Sequence, residues 1–137
     1  LKNGAVTSGN LQEPDFLDVQ AWARENTTVS DVFLTPPYME GFRVESERTT
    51  VGEWKDGTLA TSLPQFGFNW IETMKELGFK QGKDMRASFN ALDERDLLKT
   101  ARKYGVKYLV SEREGLKFKT VYANKKYHVY RLTDNLP

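Results

Sequence analysis

The chain has 137 residues, of which 39% are hydrophobic and 28% charged, a balance that suits one globular domain and argues against intrinsic disorder. Twenty basic and nineteen acidic residues leave a net charge of +1, so no global field favours nucleic acid or an anionic membrane. The absence of cysteine excludes disulfides, zinc–thiolate sites and thiol nucleophiles, and it leaves the cellular compartment open.

The first 13 residues are small, polar and glycine-bearing, which predicts a linker or disordered end ahead of a single α/β domain over 14–137. No stretch of the sequence approaches the roughly 18 apolar residues that span a bilayer. The polar opening also lacks the apolar core of a signal peptide. The sequence begins at Leu1 and not at a methionine, so it is either a processed chain or an excised piece of a longer protein, and we expect the excised piece.

The first half of the domain reads as helix, strand, crossover and strand. Apolar residues at helical spacing predict a helix over 16–25, and the apolar run at 32–35 predicts a short strand. That strand must stop at the Pro-Pro pair that follows, because proline cannot donate to a sheet ladder. Residues 38–47 are expected to cross over the sheet in one or two helical turns, and 48–55 to form a second strand.

The second half of the domain contains the clearer signals of helices and strands. Two stretches in it, 58–67 and 79–91, are expected to be irregular. Its elements are a helix over 70–77, a helix over 94–104 between a capping Asp93 and Gly105, a strand over 106–111, and a hairpin of 117–122 with 127–132. Strands that alternate with helices imply a parallel sheet. The sequence therefore predicts a small three-layer, Rossmann-like α/β domain with a mostly parallel sheet and a C-terminal antiparallel hairpin.

The sequence lacks the residues that metal binding, a catalytic triad and dinucleotide binding usually require. The one histidine, His128, is expected mid-strand in the hairpin in an ordinary surface or pairing role, which weakens the case for metal binding and for a Ser-His-Asp triad. No glycine-rich phosphate loop follows a strand, and Pro36 and Pro37 stand where a dinucleotide binder needs glycines. We therefore expect no catalytic residue, no metal and no cofactor in this chain.

Aromatic and ionic residues are densest between 31 and 55, beside the expected strand ends where open α/β sheets place their sites. One interpretation is a solvated crossover whose charges make weak surface pairs. The other is a polar pocket in which a cation holds an anionic group and an aromatic ring stacks on the ligand. The candidate substrate-binding or docking residues are Tyr38, Glu40, Arg43, Arg48, Glu53, Trp54 and Lys55.

The order of motifs along 16–132 resembles the C-terminal soluble region of certain polytopic bacterial membrane proteins, namely glycosyltransferases of the membrane-embedded GT-C type or uncharacterised relatives. The shared features are Trp22, Asp31-Val-Phe-Leu-Thr-Pro-Pro37, Gly41-Phe-Arg43, Ser46, Arg48, Lys55, Tyr104-Gly-Val-Lys-Tyr-Leu-Val110, Val121-Tyr-Ala-Asn124 and Tyr127-His-Val-Tyr-Arg-Leu132.

This resemblance implies an extracytoplasmic domain without catalysis of its own, because GT-C enzymes carry their catalytic carboxylates in loops of the membrane domain. The implied partners are the membrane domain of the same polypeptide and a sugar or lipid-linked sugar. The chain would be membrane-associated through the missing part of the protein. It would support substrate binding or brace the membrane domain through residues 38–55. The acceptor motif of oligosaccharyltransferases is absent.

Two other functions stay open. A free-standing soluble enzyme acting on a phosphorylated or sugar substrate would turn over in isolation and would lose activity on Glu53→Gln or Arg43→Ala. A protein-interaction module would instead display Trp22, Trp54 and Trp70 as one exposed patch.

Overall fold

The computed structural model describes residues 13–52 and 71–132 of the chain. The elements in chain order are α1 (Pro14–Asn26), β1 (Val32–Leu34), α2 (Phe42–Ser46), β2 (Thr49–Thr50), a helical segment at 71–76, α3 (Met85–Asn90), α4 (Glu94–Tyr104), β3 (Val106–Ser111), β4 (Lys119–Ala123) and β5 (His128–Arg131). Of the expected linker at 1–13, only Glu13 is described. It caps α1, and its side chain accepts a hydrogen bond from the backbone N–H of Asp15.

The strands form one sheet in the order β2-β1-β3-β5-β4. β1 pairs in parallel with β2 at two positions and with β3 at three, whereas β5 pairs antiparallel with β3 and with β4 at four positions each. The sheet is therefore mixed, and the prediction of a mostly parallel, Rossmann-like sheet is wrong. β2 stops after two residues because the chain bends at Val51, and β5 of the hairpin occupies the second edge of β3.

Helices cover both faces of the sheet, because side chains alternate along each buried strand. On the face that we call the α4 face, Leu34, Leu109 and Tyr130 form a cluster with apolar residues of 71–77, α3 and α4. On the opposite face, the α1 face, Phe33, Val110 and Val129 pack against α1 and α2. The residues that these helices supply to the two clusters are Met74, Leu77, Phe89, Leu97 and Ala101 on the α4 face and Phe16, Val19, Ala23 and Phe42 on the α1 face.

Local signals predicted α4 correctly. The carboxylate of Asp93 accepts a hydrogen bond from the backbone N–H of Asp96 at 2.8 Å, which satisfies a free donor of the first turn. Gly105, with φ of 68°, ends the helix in the left-handed conformation that glycine adopts without strain. α3 was not predicted, since residues 79–91 were expected to be irregular. Six residues are too few to display a helical repeat, and of them only Phe89 is buried.

Gly78 lets α3 approach the segment 71–77 closely. Its φ is 105°, and a Cβ atom placed there would lie 2.8 Å from the backbone oxygen of Ser88. The expected second strand at 48–55 is present as Thr49–Thr50, and its last three positions lie outside the described residues. The expected irregular stretch at 58–67 also lies outside them.

Candidate functional site

The sheet has a topological switch point between β1 and β3. The chain leaves β1 to build β2 on one side, and it later returns to build β3 on the other. Outside the carboxyl ends of two such strands lies a crevice, in which open α/β sheets place their ligands. Tyr38 follows β1 and Glu112 follows β3, so both residues lie at this edge.

Three side chains from separate elements meet there. The hydroxyl of Tyr38 donates to Oε1 of Glu112, and Arg86 on α3 donates from Nε to the same oxygen at 2.9 Å and from Nη2 to Oε2 at 2.5 Å. The guanidinium also lies 6.0 Å from the centre of the Tyr38 ring, and Phe89 meets that ring edge-on at 6.3 Å. We call Tyr38, Arg86 and Glu112 the switch-point cluster.

The protonation states of the switch-point cluster follow from these contacts. Burial acts to raise the pKa of Glu112, but the hydrogen bonds from Arg86 and Tyr38 outweigh it and hold that pKa below its usual value. Burial, reinforced by the hydrogen bond to the Glu112 carboxylate, raises the pKa of Tyr38 well above that of a free phenol. At neutral pH the cluster thus contains a carboxylate neutralised by arginine and a protonated phenol. It is equipped to form hydrogen bonds, and it supplies no free base.

Arg48, predicted as a binding residue, is 6% exposed and points into the fold. Its guanidinium donates to Thr27 Oγ1 at 2.9 Å, to the carbonyl oxygens of Arg24 and Thr27 at 2.9 and 2.7 Å, and to that of Glu47 at 3.1 Å. The last carbonyls of a helix lack partners and carry partial negative charge, so the arginine closes the C-terminal ends of α1 and α2 together. We call this arrangement the Arg48 clamp.

The remaining predicted residues do not join the switch-point cluster. Glu40 and Arg43 are exposed, and Arg43 donates from Nη2 to the carbonyl oxygen of Thr50 at 3.3 Å. Glu53, Trp54 and Lys55 lie outside the described residues. The exposed residues of the crossover form a surface that we call the crossover surface. It comprises Glu40, Arg43, Val44, Glu45 and Glu47.

Arg86 and Glu112 were not among the site residues predicted from the sequence. Glu112 could have been identified from the sequence, because it directly follows the end of a predicted strand. Tyr38 likewise follows the Pro-Pro pair that ends a predicted strand. Arg86 could not have been identified in this way, since it lies in a segment that was expected to be irregular. Of the three tryptophans proposed as an exposed patch, Trp22 is half-buried and stacks on Tyr122 with ring centres 5.3 Å apart. The other two tryptophans lie outside the described residues.

A separate pocket of about 320 Å³ opens beside α3. Its lining includes two lysines, Lys80 and Lys83, and two aspartates, Asp84 and Asp96, together with Leu92 and small residues. The opposite charges balance, so the pocket exerts no net attraction on an anion or a cation. Within residues 13–52 and 71–132, no three histidine, aspartate or glutamate side chains are grouped so that they could hold a metal ion.

Residues 14–75 of the chain match the model of a family that is described as a domain of unknown function, DUF6798. The match runs from α1 to the helical segment at 71–76, so it contains the Arg48 clamp, the crossover surface and Tyr38, and it ends before Arg86 and Glu112. No curated protein and no solved structure matches the chain. The family description names no activity or substrate. In the described part of the chain, none of the helices combines the length and the apolar character needed to cross a bilayer.

Proposed function

We propose that this chain is a non-catalytic extracytoplasmic domain of a multi-spanning, glycosyltransferase-like membrane protein, and that its crossover surface docks on the membrane domain of the same polypeptide. The observation that carries this proposal is the Arg48 clamp. The resemblance to GT-C proteins supplies the nature of the partner, and by the same resemblance the substrate of the parent protein is a sugar or lipid-linked sugar.

The Arg48 clamp supports docking because it holds the crossover in one orientation. Burying a guanidinium is costly unless hydrogen bonds replace its hydration, and here five side-chain hydrogen bonds to protein oxygens do so. Arg24 adds a further bond from Nη1 to the carbonyl oxygen of Glu45 at 3.1 Å. A surface that is already rigid loses little conformational entropy when it binds, so more of its contact energy appears as affinity.

The composition of the crossover surface supports a basic partner. It presents three glutamates against one arginine, and Val44 lies among them with 68% of its surface exposed. An apolar residue within an acidic rim is suited to a segment that offers lysine or arginine around an apolar contact. Long extracytoplasmic loops of membrane proteins can carry such residues, because long loops are translocated largely regardless of their charge.

The alternative of a free-standing enzyme receives less support from the described residues. Glu112 is neutralised by Arg86, and the Tyr38 phenol stays protonated at neutral pH, so neither serves as a general base. Arg43, one of the two residues on which that alternative depended, bonds to the backbone of β2. The other, Glu53, lies outside the described residues.

The proposal is tested by the topology of the full-length protein. We expect the complete reading frame to encode about eight or more spans of roughly 20 apolar residues each. We also expect a thiol introduced by Lys99→Cys, at an exposed position of α4 on the face of the sheet opposite the crossover surface, to react with a membrane-impermeant maleimide in intact cells from which any outer envelope has been removed. A reading frame without such spans overturns the proposal, and so does a thiol that reacts only after the inner membrane has been permeabilised.

A further inference from the structure

The pocket beside α3 is open to solvent and carries charged side chains on its wall. Its volume of about 320 Å³ lies near the lower end of the range of ligand pockets, so it has room for one small molecule. Lys80, Lys83 and Asp96 belong to its lining, and all three residues are exposed. A ligand can therefore reach these charges from outside.

The fold makes no use of these three side chains. Within residues 13–52 and 71–132 the ion pairs join other residues, and neither the two lysines nor Asp96 forms a side-chain hydrogen bond. The remaining charged residue of the lining, Asp84, is engaged, because its carboxylate accepts a hydrogen bond from the backbone N–H of Ala87 at 3.0 Å. Exposed charges are commonly solvated and unpaired. The distinctive feature here is that unpaired charges of both signs line one concavity.

The two signs of charge come from separate elements. The backbone N–H of Lys83 donates to the carbonyl oxygen of Lys80 at 3.0 Å, so one tight turn ahead of α3 holds both lysines. Asp96 lies in the first turn of α4. The pocket thus receives a pair of ammonium groups from the turn and a carboxylate from the helix.

The rest of the wall is made of small or apolar residues. They are Gly78, Ala87, Ser88, Ala91 and Leu92. Because most of these side chains are no larger than a hydroxymethyl group, they leave the space that forms the pocket. They also offer apolar surface for the carbon atoms of a ligand.

We propose that this pocket binds a small zwitterion, an α-amino acid or a short peptide, whose carboxylate pairs with Lys80 and Lys83 and whose ammonium pairs with Asp96. This inference is independent of the docking proposal, because the pocket contains no residue of the crossover surface and needs no membrane partner. Either one can fail while the other stands.

The mixture of charges selects a ligand that carries both signs. An anion would be attracted by the lysines and repelled by the aspartates, and for a cation the two effects are reversed. A neutral ligand would displace water from the charged groups without replacing its hydrogen bonds. A zwitterion places an opposite charge on each side, and hydrogen bonds between charged groups are stronger than those between neutral ones.

The test is a chemical-shift titration of the isotope-labelled chain with the L-amino acids and with the dipeptides glycylglycine and alanylalanine. We expect at least one compound to shift the backbone amide signals of Gly78, Ala87 and Ala91 saturably, with an affinity on the order of millimolar. Tighter binding of an amino acid than of the dipeptides identifies the ligand as a free amino acid. Equal or tighter binding of a dipeptide identifies it as a peptide. Absence of saturable shifts with every compound overturns the proposal.

Analogues of the best-bound compound that lack one charge test the pairing. The N-acetylated analogue has no ammonium, and the C-amidated analogue has no carboxylate. Each should bind roughly fivefold more weakly than the parent compound. An analogue that binds as tightly as the parent compound would contradict the proposal.

Charge variants show which residue receives which group. Asp96→Asn should weaken binding of the parent compound roughly two- to fivefold, the effect of one exposed ion pair. The same variant should bind the N-acetylated analogue at least as tightly as the wild type does, because a repulsion of its carboxylate is removed. The double variant Lys80→Gln/Lys83→Gln should weaken binding of the parent compound and spare the C-amidated analogue.

The controls for these variants are Glu25→Gln and Lys99→Gln, which remove exposed charges outside the pocket and should leave affinity unchanged. A purely structural role of the pocket residues would weaken the binding of every compound alike. Such uniform weakening, or wild-type affinity in both Asp96→Asn and the lysine double variant, would overturn the proposal.

Variants that fill the pocket test its location without a change of charge. Ala87→Leu and Ala91→Leu each add a large side chain to the wall at an exposed position, and both should abolish binding. Leucine is a good helix former, so Tm should remain close to that of the wild type. Ala123→Leu, at an exposed position of β4, is the control. Wild-type affinity in both filled variants would rule out this pocket as the site.

Discussion

Arg48 and Thr27 are joined by two hydrogen bonds, from Nε to the threonine Oγ1 at 2.9 Å and from Nη2 to the threonine carbonyl oxygen at 2.7 Å. These bonds link the start of β2 to the end of α1 across 21 residues of sequence. Thr27 Oγ1 itself donates to the carbonyl oxygen of Ala23 at 2.5 Å, so the clamp continues into the last turn of the helix. These buried hydrogen bonds therefore fix the position of the crossover relative to α1.

Removing the guanidinium should destabilise the protein strongly. Arg48→Met keeps the length of the side chain but leaves buried carbonyl oxygens without donors, and we expect a loss of roughly 2–4 kcal/mol in the free energy of unfolding. Arg48→Lys should restore only part of this, because one ammonium cannot reproduce the planar fork. Urea unfolding measures both. Arg95→Met, at an exposed position of α4, is the matched control and should change stability by less than about 0.5 kcal/mol. Equal losses at positions 48 and 95 would contradict the clamp.

The switch-point cluster should make stability depend on acid pH. Because the pKa of Glu112 is lowered in the folded state, its ionised form stabilises the fold above the ordinary glutamate pKa of 4.5, and that stabilisation disappears as the pH falls through the lowered value. Glu112→Gln should lose about 1 kcal/mol at pH 7, a modest figure because the Arg86 side chain is 55% exposed and water screens the pair. Denaturant unfolding between pH 2 and 7 measures this.

In that series the difference between the wild type and Glu112→Gln should shrink as the solution becomes more acidic. Glu114→Gln, an exposed glutamate two residues further on, should follow the wild type at every pH. A difference for Glu112→Gln that stays constant over the whole range would mean that the charge of this carboxylate plays no part.

Gly78 should be less replaceable than Gly115, although both have positive φ angles, of 105° and 85°. A Cβ at Gly115 would meet nothing within 4 Å, so Gly115→Ala carries only the left-handed strain of about 1 kcal/mol. A Cβ at Gly78 would contact the Ser88 backbone oxygen, so Gly78→Ala should cost about 1–3 kcal/mol more. Thermal unfolding of the two variants compares their losses in Tm, and the larger loss in Gly78→Ala measures the effect of the close approach of α3. Equal shifts in Tm would contradict it.

The sequence predicted those parts of the fold that local interactions determine. Asp93 and Gly105 delimit α4 through backbone rules that involve a few neighbouring residues, and the hairpin of β4 and β5 follows from two β-rich runs joined by a short loop. The place of β5 beside β3 was not predictable in this way. The nearly continuous burial of β3 is the same whether its neighbour runs parallel or antiparallel.

The candidate site was predictable only in part. The position of Tyr38 at a strand end was visible in the sequence, because proline must stop the strand before it. Its partner Glu112 lies 74 residues further along the chain, and that contact depends on the order of strands in the sheet. The role of Arg48 was also hidden, since its oxygen partners belong mostly to the backbone and leave no pattern in the sequence.

The most direct test of the docking proposal is site-specific photo-cross-linking in the full-length protein. The chain described here has no cysteine, so a benzophenone maleimide can be attached to a single introduced thiol once any cysteines elsewhere in the protein have been replaced. The two positions to compare are Val44→Cys on α2 and Lys99→Cys on α4, which are both exposed and lie on opposite faces of the sheet. We predict that irradiation in the native membrane links position 44, and not position 99, to a loop of the membrane domain that contains lysine or arginine. Equal cross-linking at the two positions, or none at position 44, would contradict the proposal.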